Sequence, residues 1–504
     1  MSEQQGRNIY QSIGVEPIIN CRGTFTIIGG SVELPEVLEA MDAASGYFVQ
    51  YDELAAGVGR KLADITGAEW GLVSAGCAAG IKHITAACVT GGNPEKLIRI
   101  PDLTGLEKTQ VIAPAYSRNA YDHAVRNIGV EMVTVDTPEE MDRAINRKTA
   151  MIYLVTGAAS DPGQPLSLEV IADIARPHGI PILADAAAEN LTIPNVHLEQ
   201  GATAVAYSGG KALCGPQCAG LVLGDKALLQ AAWQASSPHH GPGRDNKIGK
   251  EEIMGMLAAV EQWVARDHAA EWQRWLAILA GIAAQAAQVS GVTTEVGERT
   301  GLSNRAPILS INWDPDALHI TGAEVAEDFA RNAPRIAVGS GDGDGQASIT
   351  VTPSQMQPGN AEVVSERICN ILSAQRAPRP TELAPAAADL SGHWDLDITY
   401  SNESSRHQLY IEQQGNWIGG FHTSDFSTQA LKGSVAGDQV ALQSTASQPG
   451  DGIPFMFAGT IAAGGFSGSI HLGEYLTAEF SAARAYHQPA RAPIAIPKGP
   501  PLAT

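Results

Sequence analysis

Lys211 sits in Tyr207-Ser208-Gly209-Gly210-Lys211 and is followed by Ala212-Leu213-Cys214-Gly215-Pro216-Gln217. Upstream, the apolar run Ile180-Pro181-Ile182-Leu183-Ala184 ends on Asp185. The layout sets an amine where it can condense with an aldehyde, and an acid where it can hold a protonated ring nitrogen. Those are the two demands that pyridoxal phosphate (PLP) makes of a protein. Taken singly, each residue has a plainer explanation: a lysine in a glycine turn is ordinarily a surface residue, and an aspartate after a strand is often a helix N-cap.

Two further features stand where an anion and a ring would be met. Ser74-Ala75-Gly76-Cys77-Ala78-Ala79-Gly80 follows the apolar run Trp70-Gly71-Leu72-Val73 and opens a helical pattern. Small residues there let the amides of Gly76, Cys77 and Ala78 approach a phosphate, which the helix dipole favours. Ser208, three positions before Lys211, adds a hydroxyl. His123 and Arg126, in Asn119-Ala120-Tyr121-Asp122-His123-Ala124-Val125-Arg126, follow the strand candidate Gln110-Val111-Ile112. There the imidazole could stack on a cofactor ring or simply serve as a cap.

Positioning these groups requires a framework, and the pattern from about residue 53 to 225 supplies one. Short apolar runs at 70–73, 110–112, 131–135, 150–155, 180–185, 204–207 and 219–223 alternate with helical stretches such as 54–66, 78–89, 138–145 and 167–177. Buried strands alternating with helices predict a mostly parallel sheet covered on both faces. Such sheets bind ligands beyond the carboxyl ends of their strands. The expected organisation is an N-terminal segment (1–52), a large α/β domain (53–249), a smaller α+β domain (250–375) and a Pro/Ala linker (376–388). After it the texture becomes strict alternation, as in His393-Trp394-Asp395-Leu396-Asp397-Ile398-Thr399-Tyr400. Eight such segments predict an antiparallel β-sandwich or barrel over 389–485. A flexible Pro/Ala-rich tail (486–504) is expected to follow.

Composition narrows the function classes. The chain has 504 residues, 44% hydrophobic and 17% charged, which fits globular domains. Its 54 acidic against 33 basic residues give a net charge of −21. That argues against a broad nucleic-acid surface, which needs clustered Lys and Arg. The six cysteines (Cys21, Cys77, Cys88, Cys214, Cys218 and Cys369) form neither a disulfide framework nor a metal-ligand set. No secretory signal is read at the N-terminus, and no apolar run reaches the roughly 18 residues of a membrane span. A cytoplasmic location is the expectation.

The motifs Ile19-Asn20-Cys21-Arg22-Gly23-Thr24, Ser74-Ala75-Gly76-Cys77-Ala78-Ala79, Ala184-Asp185-Ala186 and Ser208-Gly209-Gly210-Lys211, with Gly215-Pro216-Gln217-Cys218-Ala219-Gly220, together resemble one family. It is the selenocysteine-synthase-like group of fold-type I PLP enzymes, which also holds D-glucosaminate-6-phosphate ammonia-lyase-like proteins. The resemblance covers roughly residues 8–375. It implies that Lys211 forms the covalent link to PLP and shuttles the α-proton, that Asp185 holds the pyridinium, and that Gly76, Cys77 and Ser208 surround the phosphate. It also implies a homodimer or higher homo-oligomer. No basic domain for a tRNA is visible, and the antiparallel module lies outside the family pattern.

The reaction expected from the resemblance is elimination of ammonia from a hydroxylated or similarly β-substituted amino acid, giving a 2-oxo acid. Racemisation, aldol cleavage and β-replacement use the same groups, and a binding or regulatory protein on this scaffold is the non-enzymatic alternative. Arginine grips carboxylates bidentately, so Arg22, Arg118, Arg126 and Arg335 are the substrate-binding candidates.

Overall fold

The computed structural model describes residues 9–378 and 382–485. The chain divides into two compact units, Met1–Arg379 and Pro380–Thr504.

In the first unit, β2 (Trp70–Ser74), β3 (Gln110–Pro114), β4 (Glu131–Val135), β5 (Thr149–Val155), β6 (Ile182–Asp185), β7 (Ala204–Ser208) and β8 (Gly220–Gly224) form one sheet. Their order is β2-β8-β7-β6-β5-β3-β4. The β4, β3, β5, β6 and β7 strands run parallel, while β8 is antiparallel to both β7 and β2. Strands β2 and β6–β8 are buried along almost their whole length, because a core covers each face. One core joins Leu62, Ile171, Met256 and Val260 from the helices Tyr51–Thr66, Leu168–Ala175 and Lys250–Ala265 to the sheet. The other joins Ile81, Ile84 and Leu229 from Cys77–Thr90 and Lys226–Ala235. This is the expected fold-type I architecture.

A four-stranded sheet of order β12-β13-β10-β9 packs with the helices His268–Ala286, Gly322–Arg331 and Asn360–Ser373 around a third core. Its strands are β9 (Val292–Glu298), β10 (Pro307–Trp313), β12 (Gly339–Gly343) and β13 (Gln346–Val351). The N-terminal segment is part of this region. Strand β1 (Ile18–Asn20) pairs in parallel with β11 (Arg335–Ala337), and Ile19 and Cys21 are buried in that core.

The second unit is a closed antiparallel barrel in which eight strands pair in chain order. They are β14 (Gly392–Thr399), β15 (Ser404–Gln414), β16 (Trp417–Thr423), β17 (Thr428–Ala436), β18 (Gln439–Gln448), β19 (Asp451–Ala462), β20 (Gly465–His471) and β21 (Thr477–Arg484). Alternate residues point inward, so Trp394, Leu396, Ile398, Leu409, Phe457, Phe466 and Phe480 fill the interior. The expected alternation therefore resolves as a barrel, and closure leaves no unpaired sheet edge.

Candidate active site

Asp185 ends β6, where the parallel register sets it opposite Val155 on β5 and Ala206 on β7. Burial leaves only 5% of it exposed. The Tyr153 hydroxyl donates to Oδ2 at 2.9 Å and the Ala187 amide to Oδ1 at 3.1 Å. The Cys77 thiol lies 3.6 Å from Oδ1. Burial pushes the Asp185 carboxyl above its ordinary range, and these donors together with the nearby charge of Lys211 act against it. A buried carboxyl held by neutral donors, with one cation near, is a site for a positively charged N–H.

Lys211 is half-buried in the turn after β7. The Gly209 amide donates to the Ala219 carbonyl at 2.8 Å, and the Cys214 amide to the Lys211 carbonyl at 3.0 Å. The turn is held from outside by the Ser31 amide, which donates to the Gly210 carbonyl at 3.1 Å. A Cβ on Gly210 would meet the Gln217 side chain at 2.0 Å and its Cα at 2.7 Å, so only glycine fits this close approach. Ser208 closes β7 opposite Gly220 of β8.

Gly76 is the N-cap of the Cys77–Thr90 helix, at φ 84°, a conformation that favours glycine. No side chain caps this helix start, which leaves its first-turn amides available to an anion. Ala78 is exposed in that turn and Cys77 is buried. Cys77 thus brings its amide to the helix start and its thiol to Asp185.

His123 is exposed at the head of the short His123–Arg126 helix that follows β3. Arg118 and Arg126 converge on buried Asp122, each with Nε 2.6 Å from one carboxylate oxygen. Arg335 turns back to the Ala330 carbonyl, at 2.5 Å. Arg22 is exposed, with its guanidinium 4.5 Å from the Phe25 ring centroid. Of the four candidate arginines, Arg22 lines the large cavity beside the lysine turn.

That cavity holds about 960 Å³ and reaches Ala212 and Cys214 of the turn. Its wall includes Trp263, Arg266, Trp272 and Trp275, residues that the sequence reading did not single out. From the sequence Tyr153 is likewise only a strand-core residue. Its partner lies on the neighbouring strand, and the hydrophobic pattern carries no signal of such a cross-strand bond.

Residues 56–192 match the DegT/DnrJ/EryC1/StrS aminotransferase family. D-glucosaminate-6-phosphate ammonia lyase of Salmonella typhimurium is 31% identical over 264 residues, covering 51% of this chain and 70% of that protein. The chain belongs to the D-glucosaminate-6-phosphate ammonia-lyase family. A solved structure of D-glucosaminate-6-phosphate ammonia-lyase agrees at a TM-score of 0.63 and 26% identity, covering 72% of this chain and 98% of that one. A 5'-C-glycyluridine monooxygenase-decarboxylase of a Streptomyces species is 28% identical over 377 residues, 72% of this chain and 92% of that protein.

The protein is a PLP-dependent enzyme. Its residues fit the cofactor: a buried acid, an uncapped helix start with a glycine N-cap, and a lysine between them in the sheet order. When bound, PLP supplies an aldehyde for the substrate amine and a ring that withdraws electrons from the α-carbon.

Proposed function

We propose that this member of the family eliminates ammonia from a β-hydroxylated amino acid and releases a 2-oxo acid. The observation that carries the reading is buried Asp185, braced by neutral donors at the end of β6, with Lys211 in the turn after the neighbouring β7 and a cavity of about 960 Å³ that reaches Ala212 and Cys214 of that turn. The ammonia-lyase relative supports the choice of reaction. Lys211 holds the cofactor and then takes the α-proton onto Nζ. Asp185 keeps the ring nitrogen charged, braced by the Tyr153 hydroxyl and the Ala187 amide. The amides of Gly76, Cys77 and Ala78 with the Ser208 hydroxyl would receive the phosphate, and His123 would stack on the ring. Atoms balance: loss of the α-proton and β-hydroxyl as water, followed by addition of water, converts the substrate into a 2-oxo acid and ammonia.

The test is the visible absorbance of the PLP-loaded protein before and after Lys211→Ala, paired with an assay of ammonia and 2-oxo acid across D- and L-hydroxy amino acids. A band that survives the substitution sinks the cofactor assignment. Exchange of the α-proton without oxo-acid release replaces elimination with racemisation.

The proposal extends to a homodimer in a reducing, cytoplasmic setting. Large apolar side chains at Ile27 (79% exposed), Tyr47 (72%) and Phe48 (101%) support a second copy as their cover. The six cysteines, all free, support the compartment. Among the described residues no helix is long and apolar enough to cross a membrane. A monomer by light scattering at micromolar concentration would contradict the assembly.

A further inference from the structure

Arg266 follows the Lys250–Ala265 helix as its C-cap, where extended dihedrals (φ −68°, ψ 133°) turn the chain out of the helix. Its guanidinium is held on several sides. Nη1 lies 3.4 Å from the Ala212 carbonyl, which is the residue after Lys211. The Trp263 ring centroid lies 5.1 Å from Cζ, and Trp263 is itself fixed by its indole N–H donating to the Leu191 carbonyl at 2.9 Å. The Glu271 carboxylate stands 3.8 Å from Nη1, and also 3.5 Å from Arg274.

The Cys214 thiol lies beside the guanidinium, and Nη2 is enclosed with no hydrogen bond of good geometry among the described residues. An enclosed guanidinium N–H without an acceptor carries a desolvation cost that an anionic oxygen would remove. Arg266 lines the cavity that reaches Ala212 and Cys214 of the lysine turn, and is tethered to the backbone of that turn at the Ala212 carbonyl. Arg126 also has an enclosed, unpartnered Nη2, but its Nε is committed to Asp122 at 2.6 Å, and it is not among the cavity-lining residues. With Glu271 offsetting part of its charge, the single unpartnered nitrogen of Arg266 matches a monoanion better than a dianion.

We infer that Arg266 receives the carboxylate of the amino-acid substrate. The inference rests on Lys211 being the reacting amine. It makes Arg266 a positioning residue that sets the carboxylate end of the substrate at the lysine end of the cavity, with the remainder of the molecule running along Trp272 and Trp275.

The experiment is calorimetric titration of the PLP-loaded protein with two unreactive probes. D-gluconate carries a carboxylate and no amine; D-glucitol has the same chain with an alcohol instead. Wild type is expected to bind gluconate about 10- to 100-fold more tightly than glucitol, the scale of one charge-assisted contact. Arg266→Gln should erase the difference while keeping the visible absorbance band, and Arg266→Lys should restore part of it. Gluconate binding by Arg266→Gln as tight as in wild type overturns the inference, as does a wild type that does not prefer gluconate. Persistence of the band in Lys211→Ala would instead overturn the function reading, so the two failures are separable.

Discussion

Both units of this chain bury polar groups, and the two clusters differ in how far their own side chains satisfy them. Around Lys211, Asp185 is braced by neutral donors, and among the described residues the Cys77–Thr90 helix start has no side-chain cap and the Arg266 Nη2 is enclosed without a partner. All three deficits are ones that an added cation or anion would fill. Inside the barrel, His407 Nδ1 and His422 Nε2 are 2.9 Å apart, and His422 Nδ1 is 2.7 Å from the Ser444 hydroxyl. His407 Nε2 lies 3.3 Å from the Asp425 carboxylate. Three of the four ring nitrogens in that chain close on its own side chains, walled by Phe455 and Phe457, while His407 Nε2 makes no hydrogen bond among the described residues. A polar group left open beside a cavity is where a ligand can complete the structure, whereas polar groups closed on each other hold a fold together.

The contrast breaks most readily at the lysine. Lys211→Ala should remove the visible band of the PLP-loaded protein and lower turnover by at least about 10³-fold. Asp185→Asn should keep part of the band and lower turnover by on the order of 10²-fold, the scale of losing one preorganised electrostatic partner. Neither should change the melting of the barrel. If His422→Leu in the barrel also abolished the band, the separation of the two clusters would fail.

Next in size is a packing test. Phe457 is 3% exposed and meets Phe480 edge-on at 5.4 Å in the barrel interior. Phe457→Ala should cost the barrel about 3–5 kcal/mol, read by thermal or denaturant unfolding, with turnover unchanged. A matching loss of cofactor absorbance would show that the lysine site depends on the barrel.

How far each unit could be read in advance follows from where its information lies. Strict alternation makes every barrel strand visible, because a single period-2 pattern specifies inside and outside. The parallel sheet is legible for a similar reason, with continuous apolar runs marking strands buried on both faces. Strands β1, β9, β11 and β12 are not, since Ile18–Asn20 and Arg335–Ala337 are three residues each, Gly339–Gly343 reads GSGDG and Val292–Glu298 fully buries only Val292. Their identity comes from pairing with distant segments. Lys211, Asp185 and the Gly76 turn were legible because local sequence places them at strand ends. Arg266 was not: it is 55 positions from Lys211 (266 − 211) and joins the lysine turn only through a tertiary contact with Ala212.

The smallest expected effects compare two histidines. Burial, with Lys82 beside it, pushes His83 down to about 3, and burial, with His407 beside it, pushes His422 down to about 3, from an ordinary 6.5. Both are therefore neutral in the fold at pH 5, where the unfolded chain binds a proton at each. Stability from each is present above pH 6.5 and is lost as pH falls toward 3, by up to about 1.4 kcal/mol per pH unit. Their neighbourhoods differ. Among the described residues neither ring nitrogen of His83 has a hydrogen-bond partner, although Lys82 beside it is bound to Asp245 at 2.8 Å. Both nitrogens of His422 are engaged. His83→Leu should therefore stay within about 1 kcal/mol of wild type at pH 7 and flatten the acid slope of the first unit, because no hydrogen bond is lost. His422→Leu should flatten the barrel's slope yet cost about 1–3 kcal/mol at pH 7, because it strands Ser444 and His407. Urea unfolding of both variants at pH 7 and pH 5 measures both terms. Equal costs for the two substitutions at pH 7 would mean that the barrel network contributes nothing beyond burial.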